Sequence, residues 1–206
     1  IIDPVAGRQV ATVKQSGATG HEVVASPDGK TAYVPIYGDS GVGRPGSDGR
    51  TLDVIDIASR RRVATIDFGG PERPHCAVFG PDGRLYVTTE TTNSVKVIDP
   101  RTNTVVDTLP TSQKESHMLA LSGDGRTAYT SNVGAGTVSV IDTASNEIVH
   151  KITFEVPGVL PEALQPVGVR VTVDGKKAYV ALGPANRVAV VDAETYAAIR
   201  ARTLAT

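Results

Sequence analysis

Between Pro74 and Leu109 the chain alternates short apolar runs with clusters of turn-forming residues. The runs are Cys76 to Phe79, Leu85 to Thr88, Val95 to Ile98 and Val105 to Leu109, each too short for a helix. They are apolar on successive residues rather than on alternate ones, which predicts four strands buried on both faces. Gly80-Pro81-Asp82-Gly83 separates the first two: proline sets the first turn dihedral and glycine takes the positive φ that closes a tight hairpin. Asp99-Pro100-Arg101-Thr102-Asn103 separates the last two, where the aspartate side chain caps backbone N–H groups two residues on.

The same phrase recurs along the chain. Ser26-Pro27-Asp28-Gly29, Ser122-Gly123-Asp124-Gly125 and Val173-Asp174-Gly175 repeat the hairpin, and Val54-Ile55-Asp56, Val140-Ile141-Asp142 and Val190-Val191-Asp192 repeat the end of the third strand. Ile1-Ile2-Asp3-Pro4 matches that end too, so the chain opens in mid-repeat. The aspartates at 3, 56, 99, 142 and 192 are spaced by 53, 43, 43 and 50 residues. A four-stranded unit at that period predicts an all-β fold, a β-propeller of four-stranded antiparallel blades. One domain is expected, with a partial blade over 1–20 and blades at about 21–70, 71–112, 113–160 and 161–206, the last strand falling near Tyr196 to Leu204. The two long spacings are insertions, Gly38 to Arg50 and Phe154 to Gln165, rich in Gly or Pro as loops are. About four and a half blades leave apolar surface and strand edges uncovered, so the segment is expected to belong to a longer ring or to pair with another chain.

Composition narrows the picture only a little. A formal charge of −1 over 206 residues points to neither nucleic acid nor a membrane surface. Aromatics make up 4% and tryptophan is absent, so Val, Ile, Leu and Ala must fill the core. Cys76 stands alone, on an apolar strand, and reads as core rather than nucleophile. No apolar span suits a transmembrane helix, and no signal peptide is visible after the opening Ile1-Ile2-Asp3, which leaves an upstream targeting segment open.

Tyr86-Val87-Thr88-Thr89 and its relatives Tyr33-Val34-Pro35-Ile36, Tyr129-Thr130-Ser131-Asn132 and Tyr179-Val180-Ala181-Leu182, with the Asp-Gly hairpins and Val-Ile-Asp endings, resemble the YVTN family of β-propeller repeats over nearly the whole chain. The resemblance implies a seven-bladed ring in a bacterial or archaeal protein exported to the periplasm or the cell surface. WD40 repeats are disfavoured by the lack of tryptophan, and NHL repeats fit the Val-Ile-Asp endings less well.

Propeller topology assigns the working face. The first strand of each blade lines the central channel, and the second-to-third and fourth-to-first connections share one end, where both insertions fall. Gly41 to Gly46 spells G-x-G-x-x-G there, but a dinucleotide site needs a helix next, and Thr51 to Ile57 reads as a strand. The Asp-Gly turns lack the alternating acidic ligands and distal glutamate of calcium loops.

Histidine carries the stronger signal. His21, His75 and His117 each precede the hairpin aspartate of their own repeat by seven residues, while the fourth repeat has Val167 there. All three open a channel-lining strand at the loop end, where Glu72, Arg73, Glu90 and Glu115 can approach. Three roles stay open: hydrogen bonding to loop backbone, a small-ligand site, or a metal held by His21, His75 and His117. Three functional classes follow. The first is an exported binding or interaction scaffold that takes a small ligand or a protein partner at the channel mouth. The second is a hydrolase similar to lactonase propellers, which the Arg73-Pro74-His75 neighbourhood resembles. The third is a metal-binding or redox-partner propeller similar to haem d1 and quinoprotein relatives. No Ser-His-Asp or Cys-His set is recognisable and no cofactor is assigned.

Overall fold

In the computed structural model, residues 1–39, 44 and 46–203 are described, side chains excepted for 199–203. Most of the G-x-G-x-x-G stretch and Leu204 lie outside the described residues. A two-stranded ribbon, β1 (Ile2–Asp3) and β2 (Arg8–Gln9), comes first. Four antiparallel four-stranded sheets follow, each meandering in chain order. They comprise β3 (Val24–Ala25), β4 (Thr31–Gly38), β5 (Asp48–Asp56) and β6 (Arg61–Asp67); β7 (Pro74–Phe79), β8 (Leu85–Thr89), β9 (Ser94–Asp99) and β10 (Thr104–Pro110); β11 (Ser116–Leu121), β12 (Thr127–Asn132), β13 (Thr137–Asp142) and β14 (Glu147–Thr153); and β15 (Pro166–Val171), β16 (Lys177–Leu182), β17 (Arg187–Asp192) and β18 (Ala198–Thr203). These are propeller blades.

The aliphatic runs are explained by what covers each face. Side chains alternate across a strand. Leu85, Val87 and Ile98 therefore pack with Tyr33, Leu52 and Val54 of the preceding blade, while Tyr86, Val95 and Val97 pack with Leu119, Ala128 and Ile141 of the following one. Each central strand feeds two inter-blade cores. The fourth strands depart from the expected two-sided burial. In β6, β10 and β14 single residues, Ile66, Leu109 and Ile152, are buried, and the rest of each strand is exposed or half-buried, Val63, Val106 and Val149 among the exposed ones, because these strands form the outer rim.

Both insertions contain structure that a loop reading passes over. β4 and β5 run on into the first, pairing Gly38 with Asp48. The second holds a 3-10 turn, Pro161–Ala163.

Candidate functional site

The site begins with a backbone irregularity. In β7 and β11 the register against the second strand slips by one, between Pro74 and Ala77 and between Ser116 and Leu119. Two residues, His75-Cys76 or His117-Met118, then face one, Thr88 or Ser131: a β-bulge, the device that re-aims a side chain next to a working site. The N–H groups freed by the bulge are caught by side chains, Cys76 N–H donating to Thr88 Oγ1 at 3.0 Å and Met118 N–H to Ser131 Oγ at 3.1 Å. Thr88 in turn donates to the His117 carbonyl at 2.6 Å, tying the bulges of adjacent blades together. Two residues before each histidine the chain turns left-handed, at Thr19 (φ 39°), Arg73 (φ 54°) and Glu115 (φ 58°). Such backbone costs on the order of 1–3 kcal/mol per residue and persists only where its surroundings hold it. The hold is the same in each blade: the carbonyls of Thr19, Arg73 and Glu115 accept from the N–H groups of Tyr37, Glu90 and Val133.

These backbones deliver three imidazoles to one place. His21 and His75 pack at a tilt, with ring centroids 4.1 Å apart and 42° between planes, and His75 and His117 likewise, with centroids 3.8 Å apart and 39° between planes. Glu90 faces the rings from the end of β8, its Oε1 standing 3.9 Å from His75 Nε2 and 4.0 Å from His117 Nε2. Its Oε2 accepts from the Tyr37 hydroxyl at 2.9 Å and lies 3.3 Å from Arg73 Nε. Arg73 is fully buried; it donates to Asp48 Oδ1 at 2.6 Å and to the Asp39 carbonyl at 3.0 Å, and its guanidinium sits 3.8 Å above the Tyr37 ring. On the other side, His117 Nδ1 is 3.0 Å from the Val167 carbonyl, which fixes the proton on Nδ1 and leaves a lone pair on Nε2.

Burial sets the electrostatics. Desolvation raises the Glu90 carboxyl to about 7 against the counter-pull of Tyr37 and Arg73, with Glu115 and Asp48 adding to the rise. It lowers the His75 imidazole to about 2, with help from His117, His21 and Arg73. His117 is lowered by the same cause. The imidazoles of His75 and His117 are thus neutral bases and the carboxyl titrates near neutrality. His21 Nδ1 and His75 Nδ1 are buried without a hydrogen-bond partner.

Of the seven residues singled out from sequence, His21, Arg73, His75, Glu90 and His117 come together. Glu72 does not: it pairs with Lys96 Nζ at 3.1 Å and accepts from Thr92 at 3.3 Å. Glu115 stands against Gly134, beside a groove of about 380 Å³ lined by Val133, Gly134, Pro161 and Gln165. The metal-capable group differs from the histidine trio. His75, Glu90 and His117 offer donor atoms within 4.8 Å of one another, and His21 is not among them. Tyr37, Asp48 and the Val167 carbonyl went unread. A signal for Tyr37 existed: it follows Tyr33 by four residues, as Glu90 follows Tyr86.

The architecture and this axial cluster define a β-propeller. No protein-family model matches the chain, and no curated protein does. Solved structures do match. A chain of Kuenenia stuttgartiensis hydrazine synthase aligns with a TM-score of 0.75 at 22% identity, covering 96% of this chain and 52% of that one. A functionally unknown protein from Desulfotomaculum acetoxidans aligns with a TM-score of 0.68 at 14% identity, covering 91% and 57%. The chain spans a little over half the length of either structure. At these identities the likeness is one of fold.

Proposed function

We propose that the protein is a binding propeller of the YVTN type, taking a small polar ligand at the channel mouth through His21, His75, His117, Glu90 and Arg73. One observation carries this reading. Two buried imidazole nitrogens lack partners beside a fully buried arginine. An unsatisfied buried polar atom costs on the order of 1–3 kcal/mol, so His21 and His75 are expensive there unless a ligand completes their bonding. Export to the periplasm or cell surface belongs to the same reading, through the YVTN resemblance, and cell fractionation tests it.

Native mass spectrometry tests the binding. An adduct carried by the wild type and absent from His75→Ala supports the reading. A bare wild type, or the same adduct on the variant, overturns it. A second reading, hydrolysis of a small lactone, draws on Glu90: a carboxyl near pKa 7 is matched to general-base work at neutral pH. Lactone turnover that disappears in Glu90→Gln would establish it.

A further inference from the structure

We propose that His75, His117 and Glu90 form a binding site for one divalent first-row transition-metal ion, with His21 packed against the site rather than ligating; this rests on reading the channel mouth as a binding site. The donors come from β7, from β11 and from the residue that follows β8, in two blades, so the fold itself sets their spacing. His75 Nε2 and His117 Nε2 stand 3.9 and 4.0 Å from Glu90 Oε1, too far for hydrogen bonds. With metal–ligand bonds of about 2.0–2.2 Å, donors around one ion sit roughly 3–3.5 Å apart. The two carboxylate-to-imidazole gaps must shorten by about half an ångström, and the three donors already lie within 4.8 Å of one another.

The outer contacts point the same way. Histidines that bind metal characteristically donate the other ring N–H to a carbonyl or carboxylate, as His117 Nδ1 does to Val167. Glu90 Oε2 is occupied by Tyr37 and Arg73, which turns Oε1 toward the imidazoles. Arg73 opposes a cation, but its guanidinium is already paired with Asp48 at 2.6 Å and with Glu90 Oε2 at 3.3 Å, and so lies on the far side of the carboxylate from Oε1. Two imidazoles and one carboxylate favour a borderline metal such as Zn²⁺, Fe²⁺ or Co²⁺ over Mg²⁺ or Ca²⁺, which prefer all-oxygen shells. His21 packs at a tilt against His75, and its nitrogens fall outside the convergent donor group.

Titration of the metal-free protein with Co²⁺, followed by visible absorption and calorimetry, tests the assignment. One ion per chain is expected, with binding weakened at least about 100-fold in Glu90→Gln and in His117→Ala, and kept within about tenfold in His21→Ala. Circular dichroism confirms that each variant is folded. Absence of saturable binding by the folded wild type overturns the proposal. So does binding that survives Glu90→Gln, or an equal loss in His21→Ala. A histidine-dependent organic adduct in native mass spectrometry without Co²⁺ binding would remove the metal and leave the ligand reading standing. The absence of both would remove both.

Discussion

The two ends of the blades satisfy their polar groups in opposite ways. At the hairpin end, Asp28, Asp82, Asp124 and Asp174 each accept from the backbone N–H two residues on, at 3.1 Å in every case. Asp28, Asp124 and Asp174 are exposed and held below the usual carboxylate range, first by the hydroxyls of Ser26, Ser122 and Thr172 and then by those N–H groups. At the channel end, Glu90 takes its partners from other blades and strands, Tyr37 among them, and burial drives its carboxyl up to about 7. Local turns satisfy a charge in water at little cost. The channel end takes charge out of water and must assemble its partners across the fold, an arrangement that serves binding better than stability.

Arg73 is where this contrast breaks most visibly. Its removal leaves Asp48 and Glu90 without their cation, uncovers the Tyr37 ring and takes one donor from the Asp39 carbonyl. Arg73→Ala should lower unfolding free energy by on the order of 3–5 kcal/mol in chemical denaturation. Arg73→Met restores volume and separates packing from charge: recovery of most of the loss would show that the ion pairs contribute little.

Glu90→Gln should move stability the other way in the metal-free protein. The wild-type carboxyl rises from 4.5 to about 7 on folding, so its contribution is full below about pH 4.5 and lost as pH rises through 7. Tyr37 and Arg73 oppose that rise, Glu115 and Asp48 add to it, and the neutral imidazoles of His75 and His117 stand 3.9 and 4.0 Å from the carboxyl. The amide carries no such penalty and should be more stable than wild type above pH 7, by about 3 kcal/mol at most, with the gap closing toward pH 4.5. His75 acts oppositely: lowered to about 2, it contributes stability above about pH 6.5 that is lost as pH falls. Denaturation curves at pH 5 and pH 8 check the sign. A gap that widens toward acid would refute it.

The same contrast accounts for what the sequence made legible. The hairpin end depends on contacts within five residues, so Asp-Gly and Val-Ile-Asp could be found by repetition alone. The histidines were legible as equivalent positions for the same reason. Their surroundings were not: Glu90 and Tyr37 are 53 residues apart and meet only because the blades pack side by side. The bulges at His75 and His117 could not be read either: Thr88 and Ser131 catch the freed N–H groups, but the fourth blade makes the same slip, between Pro166 and Gly168, with Ala181 at that place. Glu72 misled because proximity in sequence to Arg73 says nothing about direction, and its carboxylate turns to Lys96.

A change at the hairpin end should cost less than Arg73→Ala and spare binding. Gly83 sits at φ 76° with open space where a Cβ would go, so Gly83→Ala meets a conformational penalty and no clash. A loss of about 1–2 kcal/mol is expected, with Co²⁺ affinity unchanged. Weakened Co²⁺ binding in this variant would mean that the two ends are coupled, and the division drawn between them would fail.

The smallest effect concerns the other hairpin-end turn. Four residues after the aspartates at 3, 56, 99, 142 and 192 stand Gly7, Arg60, Asn103, Asn146 and Tyr196, all left-handed, with φ between 50° and 60°. Glycine and asparagine tolerate that region, whereas arginine does so at a cost. Arg60 is exposed and its side chain makes one long contact, Nη1 to the Val10 carbonyl at 3.3 Å. Replacing it should therefore relieve strain while giving up little. Arg60→Asn is expected to stabilise the protein by about 0.5–1 kcal/mol, a rise of roughly 1–4 °C in melting temperature for a chain of this size. Differential scanning calorimetry resolves a shift of that size, and a fall would show that the Val10 contact, which ties the first ribbon to the next blade, outweighs the backbone strain.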